Sequence, residues 1–370
     1  MADGGKRPSP MQEQGVGMRA TGFHWRAKGG NNRMNWQKAF QLGGVYVGTV
    51  VGAGFATGRE IAEFFSKYGS FGLIGILIAE FFFIFAGMKL VQMSVRFQAK
   101  SFREMNAYLF GKTVASIIDV LLALMLTGVM GVMMAGAGSL FEEQLGLPKE
   151  AGVFLTIGLS LFVLVKGTSG LIAVNALISP ALILFSFLMV LLSSQLPDFL
   201  ENLKAIGERK WTVWPSGFLY ASFNLMLAQA VLIPAAKEIG DEGTVKAGGW
   251  IGGIVLGAVL LSSHATLVQL PGLIHYDIPM AAMMNRLAPA LSLGFTGIVY
   301  GEIFTSIIGS LYGLERFFRE KTGWNPVWTG SLLLGAAYLF GMGDYGVLLS
   351  TLYPLFGSVS LLFLILLLLK

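Results

Sequence analysis

The chain alternates between long apolar stretches and short polar connections. A helix needs about 20 apolar residues to cross a bilayer. Ten stretches have that character, at 37–65, 71–97, 113–140, 149–165, 168–195, 212–238, 243–270, 289–317, 325–341 and 344–369. A soluble core would supply one or two runs of this kind, so the pattern predicts an all-α polytopic membrane protein with ten transmembrane helices. The predicted organisation is a disordered cytoplasmic tail at 1–36, a transmembrane repeat at 37–195 (helices 1–5), an outer loop at 196–211 and a second repeat at 212–370 (helices 6–10). Five spans is an odd number, so the second repeat must run inverted relative to the first.

Charge orients this arrangement. With the N-terminus inside, Lys and Arg on the inner side outnumber those on the outer side by more than two to one. By the positive-inside rule both termini are then cytoplasmic and the protein sits in the cell membrane. The net charge of +5 reflects this loop bias and gives no reason to invoke nucleic acid. The first 33 residues are polar and basic and lack the apolar core of a signal peptide. Met34 stands just before the first span and reads as an alternative start. No cysteine is present, which excludes disulfides and thiolate metal sites. His24, His264 and His275 are scattered without metal-ligand spacing, and His264 reads as a polar contact between helices.

The first span carries the main irregularity. Gly48-Thr-Val-Val-Gly-Ala-Gly-Phe-Ala-Thr-Gly58 concentrates glycine where a lipid-embedded helix should be regular. A helix broken at membrane depth exposes N–H and C=O groups that lipid cannot satisfy, so the break must face protein or a polar ligand. In an inverted repeat the binding site is marked by matching interrupted helices, one in each half. The counterpart in span six, Pro215 to Leu227, places Ser222 and Asn224 mid-span, and a second unwound segment is expected there.

Gly48–Gly58, followed by Arg59-Glu60, resembles the start of the YkvI-type bacterial membrane proteins, a family related to the amino acid–polyamine–organocation superfamily. The resemblance covers 37–370 and implies a LeuT-type five-plus-five inverted repeat with helices one and six interrupted. It also implies that backbone amides of Gly52, Ala53, Gly54 and Phe55 bind an anionic group of a small, amino-acid-like solute, as helix N-termini favour. Thr57, Thr127, Ser222 and Asn224 would add hydrogen bonds, and Phe223 an aromatic lid. The small residues Gly131, Gly136 and Gly138 are assigned to helix packing.

A sodium ion is the implied coupling ion. Its position in this fold points to the carbonyls of Gly48 and Val51 and the hydroxyls of Thr305 and Ser306, oxygen ligands of the kind a hard cation takes. Phe55 stands where some sodium-coupled members carry a side-chain amide, which argues against a second sodium. The function implied is sodium-coupled symport by alternating access, with no enzymatic cofactor.

Polar residues inside apolar spans define the alternatives. Glu80, Asp119 and Glu302 are carboxylates at membrane depth, where an ionisable residue faces the bundle interior and serves function. Glu302 lies one turn before Thr305 and could carry a coupling proton in place of sodium. Arg59, Glu60, Asp277 and Asp344 are expected near the outer face, where Arg59 with Asp344 or Asp277 could form a gate. The segment 279–291 reads as a short amphipathic outer helix. Gly341-Met-Gly-Asp344 matches a motif of intramembrane aspartyl proteases, but both aspartates fall in expected loops, so the enzyme reading is set aside. A channel would need a continuous polar stripe through several helices.

Overall fold

The computed structural model describes residues 34–99, 101–166, 169–207 and 213–370. The expected tail falls almost entirely outside these residues, as do Arg209 and Lys210 of the outer loop. From Met34 onward the chain is nearly all helical. Each of the ten apolar stretches falls on helix. Among the described residues six helices are long and apolar enough to cross a membrane, and two shorter ones are apolar.

The first stretch is three pieces: α1 (Trp36–Val50), α2 (Ala53–Thr57) and α3 (Arg59–Phe64). Asn35 caps α1 by accepting from the Lys38 amide, which moves the helix start one residue ahead of the expected boundary. The other helices are α4 (Gly72–Arg96), α5 (Phe102–Phe110), α6 (Lys112–Leu145), α7 (Lys149–Lys166), α8 (Ser169–Ser193), α9 (Phe199–Lys204), α10 (Val213–Ile239), α11 (Glu242–Leu267), α12 (Pro279–Leu287), α13 (Pro289–Thr322), α14 (Pro326–Phe340) and α15 (Tyr345–Leu369). Proline opens α12, α13 and α14, where its fixed φ suits the first turn and its missing N–H costs nothing. The expected outer loop contains α9, and the expected amphipathic helix ends at Leu287, just before α13 begins.

Glycine lets the helices approach closely. α11 sits between α1 and α4, and its glycines divide between them. A Cβ at Gly248 would lie 2.9 Å from Leu42, and one at Gly249 would lie 2.7 Å from the Met88 Cα. Gly252 faces Tyr46, Gly253 faces Ile84, and Gly257 faces the Glu80 carboxylate. Small residues four apart on one helix face allow this backbone contact, and in lipid such packing drives association. Glu80 therefore lies at a helix interface, with Tyr46 beside it. Tyr46 spans the same contact by donating to the Phe83 carbonyl at 2.8 Å.

One expectation about the helices fails. α10 runs unbroken from Val213 to Ile239, so span six is not interrupted. Ser222 and Asn224 are hydrogen-bonded without unwinding. Ser222 Oγ reaches the Leu219 carbonyl at 3.0 Å and the Gly357 carbonyl of α15 at 2.8 Å. Asn224 Nδ2 donates to the Tyr220 carbonyl at 3.0 Å. A hydroxyl or amide that bonds back to its own helix leaves no backbone group to free.

The ends of the bundle differ in chemistry. At the end holding Trp36 and Lys370, Arg96 and Gln92 of α4 bind Glu242 of α11. There too Asp119 of α6 pairs with Arg103 of α5 at 3.1 Å, which gives this carboxylate a partner. The opposite end carries the connections around α3, α9 and α12.

Candidate functional site

The break in the first stretch lies at Val51–Gly52. The Gly52 N–H turns back to the Val50 carbonyl at 2.9 Å, and the next helical bond is Ala56 N–H to the Gly52 carbonyl. Among the described residues, no backbone N–H reaches the carbonyls of Gly48, Thr49 or Val51. The amides of Gly54 and Phe55 likewise have no backbone acceptor there. A helix end ordinarily leaves such groups to side chains, water or ligand. A second break follows at Gly58, whose φ of 80° is left-handed and open to glycine at little cost.

Serine and threonine of α13 meet this break unequally. The Ala53 amide donates to Ser306 Oγ at 3.4 Å, and Ser306 is the nearest side chain to Gly52. Thr305 is buried and its hydroxyl donates to the Glu302 carbonyl at 3.2 Å, leaving the oxygen's lone pairs free. Gly48 faces Ser179 of α8. Carbonyl and hydroxyl oxygens are the ligand types a hard cation such as sodium takes, although Ser306 Oγ already accepts from the Ala53 amide. Glu302 is 2% exposed and its Oε2 has no partner among the described residues.

Other expected solute contacts are already engaged. Thr57 Oγ1 donates to the Gly54 carbonyl at 2.9 Å and meets the Tyr345 hydroxyl of α15 at 2.9 Å. Phe223 packs against Tyr353 at 4.6 Å and Phe356 at 6.1 Å between ring centroids, a helix contact rather than a free lid. Thr127 bonds the Ala123 carbonyl of its own helix at 2.9 Å, and the next residue, Gly128, accommodates the Phe356 ring. Phe55 points the other way, into a narrow apolar cleft with Leu182, Phe185, Ser186, Ser263 and Phe295.

The expected outer pair is rewired. Arg59 donates through Nη1 to the carbonyls of Ile274 and Tyr276, at 2.7 and 2.8 Å. Asp344 instead caps α15 by accepting from the Val347 amide at 3.2 Å, so it does not meet Arg59. A carboxylate at a helix start is better placed accepting its own first-turn amide. Asp277 accepts from Ser139 Oγ at 2.6 Å and from the Gly346 amide at 3.2 Å. Arg59 and Asp277 both crowd Gly346, where a Cβ would lie 2.6 Å from one and 3.0 Å from the other. Asp277 and Asp344 thus have separate partners and do not form a carboxylate dyad.

Glu60 departs furthest from expectation. It is 3% exposed, not at a wet face. Its Oε2 lies against Gly54, and its Oε1 has no hydrogen-bond partner among the described residues. Asn224 faces the carboxylate, with Tyr220, Tyr345 and Tyr353 around it. The Tyr220 hydroxyl is also buried without a partner. The sequence held one signal for this position: Glu60 falls within the apolar run 37–65, and a carboxylate there is functional by default. His264 behaves as expected, paired through Nδ1 with Ser66 Oγ at 3.0 Å.

This geometry has relatives. The chain is 45% identical over 325 residues to the uncharacterized membrane protein YkvI of Bacillus subtilis, covering 88% of this chain and 94% of that protein. The chain belongs to the YkvI family. A second relative, the uncharacterized protein YyaD of the same organism, is 27% identical and covers 91% of this chain and 98% of its own length. No family model matches. Among solved structures, this YkvI-family chain resembles a manganese transporter of Eremococcus coleocola, with a TM-score of 0.64 at 15% identity, covering 90% of this chain and 78% of that one. It also resembles MhsT in complex with L-phenylalanine, with a TM-score of 0.62 at 15% identity and 89% of each chain covered. Both neighbours are LeuT-fold transporters, and this YkvI-family protein shares that general fold with them.

Proposed function

We propose that this YkvI-family protein is a secondary active transporter that carries a small organic solute by alternating access, with sodium as the coupling ion. The observation that carries the reading is the break at Val51–Gly52, where unpaired carbonyls and amides lie beside Ser306 of α13. Irregular backbone at membrane depth is tolerated where it lines a site, and the LeuT-type fold places solute sites at such helices. On this reading ten helices span the cell membrane as an inverted repeat, with both termini in the cytoplasm. Gly48, Val51, Thr305 and Ser306 would hold sodium, whose charge would draw α1 and α2 onto α13.

The solute would lie between the break, α10 and α6, with the amides of Gly54 and Phe55 offering donors. An amino acid or a similar solute suits this size and polarity. The manganese carried by one structural relative has less support, because among the described residues no three His, Asp or Glu side chains group as metal ligands.

Uptake of radiolabelled solutes into proteoliposomes tests the proposal. A sodium gradient drives accumulation, and Thr305→Ala reduces it sharply. One observation favours a second reading: the buried, unpartnered Oε2 of Glu302 suits a proton carrier. Uptake indifferent to sodium, driven by a pH gradient and lost in Glu302→Gln, replaces the sodium version. Single-channel currents with no saturation replace the transporter with a pore.

A further inference from the structure

Among the described residues Glu60 has no cationic partner, and its surroundings describe the ligand it would take. It opens α3 directly after the left-handed Gly58, and it is 3% exposed. Its neighbour Arg59 donates through Nη1 to the Ile274 and Tyr276 carbonyls, while its Nε has no partner among the described residues. Asn224 of α10 faces the carboxylate, and Tyr220 of α10 and Tyr345 and Tyr353 of α15 lie in its neighbourhood. Two buried polar atoms in this group, Glu60 Oε1 and the Tyr220 hydroxyl, have no hydrogen-bond partner among the described residues. The Tyr220 ring is fixed by edge contact with Phe65 at 4.9 Å and by Phe64 at 5.2 Å, so its hydroxyl cannot swing away to find one.

We propose that Glu60 binds the ammonium group of the transported solute, which makes that solute a primary amine. This deepens the transporter reading and rests on it. A carboxylate buried without a counter-charge is strongly disfavoured, and a paired, hydrogen-bonded one is not. An ammonium group brings the charge and three donors, enough for Glu60 Oε1, the Tyr220 oxygen and one more acceptor.

The same geometry acts against an anion. Glu60 Oε2 lies beside Gly54, where a Cβ would be only 2.5 Å from it. A solute carboxylate at the free Gly54 amide would meet a like charge. Glu60 therefore favours amines over the matching amino acids, which sharpens the amino-acid expectation.

The test is thermal unfolding of the purified full chain with matched sets of a primary amine, its amino acid, its N-acetyl derivative and the acid lacking the amine. The primary amine raises the melting temperature most, and the N-acetyl derivative and the amine-free acid do not raise it. In Glu60→Gln the concentration needed for half the amine effect rises at least tenfold, and Glu60→Asp retains part of the affinity. Should Glu60→Gln fold poorly, the wild-type comparison of amine with N-acetyl amine still decides. An amine-free acid that stabilises equally, no amine acting at millimolar concentration, or amine affinity unchanged in Glu60→Gln overturns the assignment. Retained amine affinity with loss of pH-driven uptake in Glu60→Gln overturns it in favour of a proton carrier. Sodium-driven uptake of an amine-free solute defeats the Glu60 assignment alone, whereas Glu60-dependent amine binding without any gradient-driven uptake defeats the transporter reading alone.

Discussion

The Glu60 carboxylate rests on Gly54, six positions earlier in the broken first stretch, with Oε2 2.5 Å from where a Gly54 Cβ would sit. Gly54→Ala must push this side chain aside. Overpacking a buried contact costs about 1–3 kcal/mol, and here the displaced atom ends a flexible chain, so the lower end applies. The variant should fold, with a small drop in melting temperature, and lose most solute affinity. A large loss of stability with affinity intact would show that Gly54 serves packing alone.

Ser306 is the hydroxyl nearest the break, and Thr305 stands one residue before it with its donor spent on Glu302. Ser306→Ala removes the acceptor for the Ala53 amide and, on the proposed function, a cation ligand. Its sodium half-saturation in uptake assays should rise at least tenfold, while solute affinity at saturating sodium changes less. Equal loss at every sodium concentration would point to a purely structural role.

Arg59 ties the start of α3 to the connection before α12 through two carbonyls. Arg59→Ala should loosen that end of the bundle. Because the chain has no native cysteine, a single Ser139→Cys probe reports directly. Ser139 is 1% exposed beside Asp277, so it should label slowly in the parent and several-fold faster with Arg59→Ala. Unchanged labelling would show that this end is held closed by other contacts.

Gly253 meets the Ile84 backbone, with a Cβ position 2.8 Å from the Ile84 Cα. A backbone cannot rotate out of the way as a side chain can. Gly253→Val should separate α11 from α4 and cost about 3 kcal/mol or more, read as a lowered melting temperature in detergent. Gly294, which has nothing within 4 Å of its Cβ position, is the matched control and should tolerate alanine.

The helices were legible because lipid-facing apolar runs leave few alternatives, and each expected run falls on helix. The break was legible for a similar reason: glycine at 48, 52, 54 and 58 has no other use in a regular span. Span six misled because Ser222 and Asn224 look the same in sequence whether they serve a ligand or their own helix. Only the positions of the Leu219, Gly357 and Tyr220 carbonyls decide between these uses. Glu60 misled for the opposite reason. Its sequence position reads as the outer end of a span, but the chain turns twice, at Gly52 and Gly58, and carries it inward near three tyrosines of α10 and α15. The sequence reading pairs Arg59 with Asp344 or Asp277, but its hydrogen-bond partners are main-chain carbonyls, which no side-chain pattern announces.

α2 has only five residues, yet it is fastened to two different long helices: Ala53 to Ser306 of α13, and Thr57 to Tyr345 of α15. With a joint at each end, it behaves as a rivet through two plates. Any sliding of α13 past α15 must shear one of the two fastenings first. The longer of the two hydrogen bonds is the 3.4 Å contact at Ser306, and α2 also packs directly on α13. On the proposed reading, a cation held by Val51 and Ser306 would add a further tie between the broken stretch and α13.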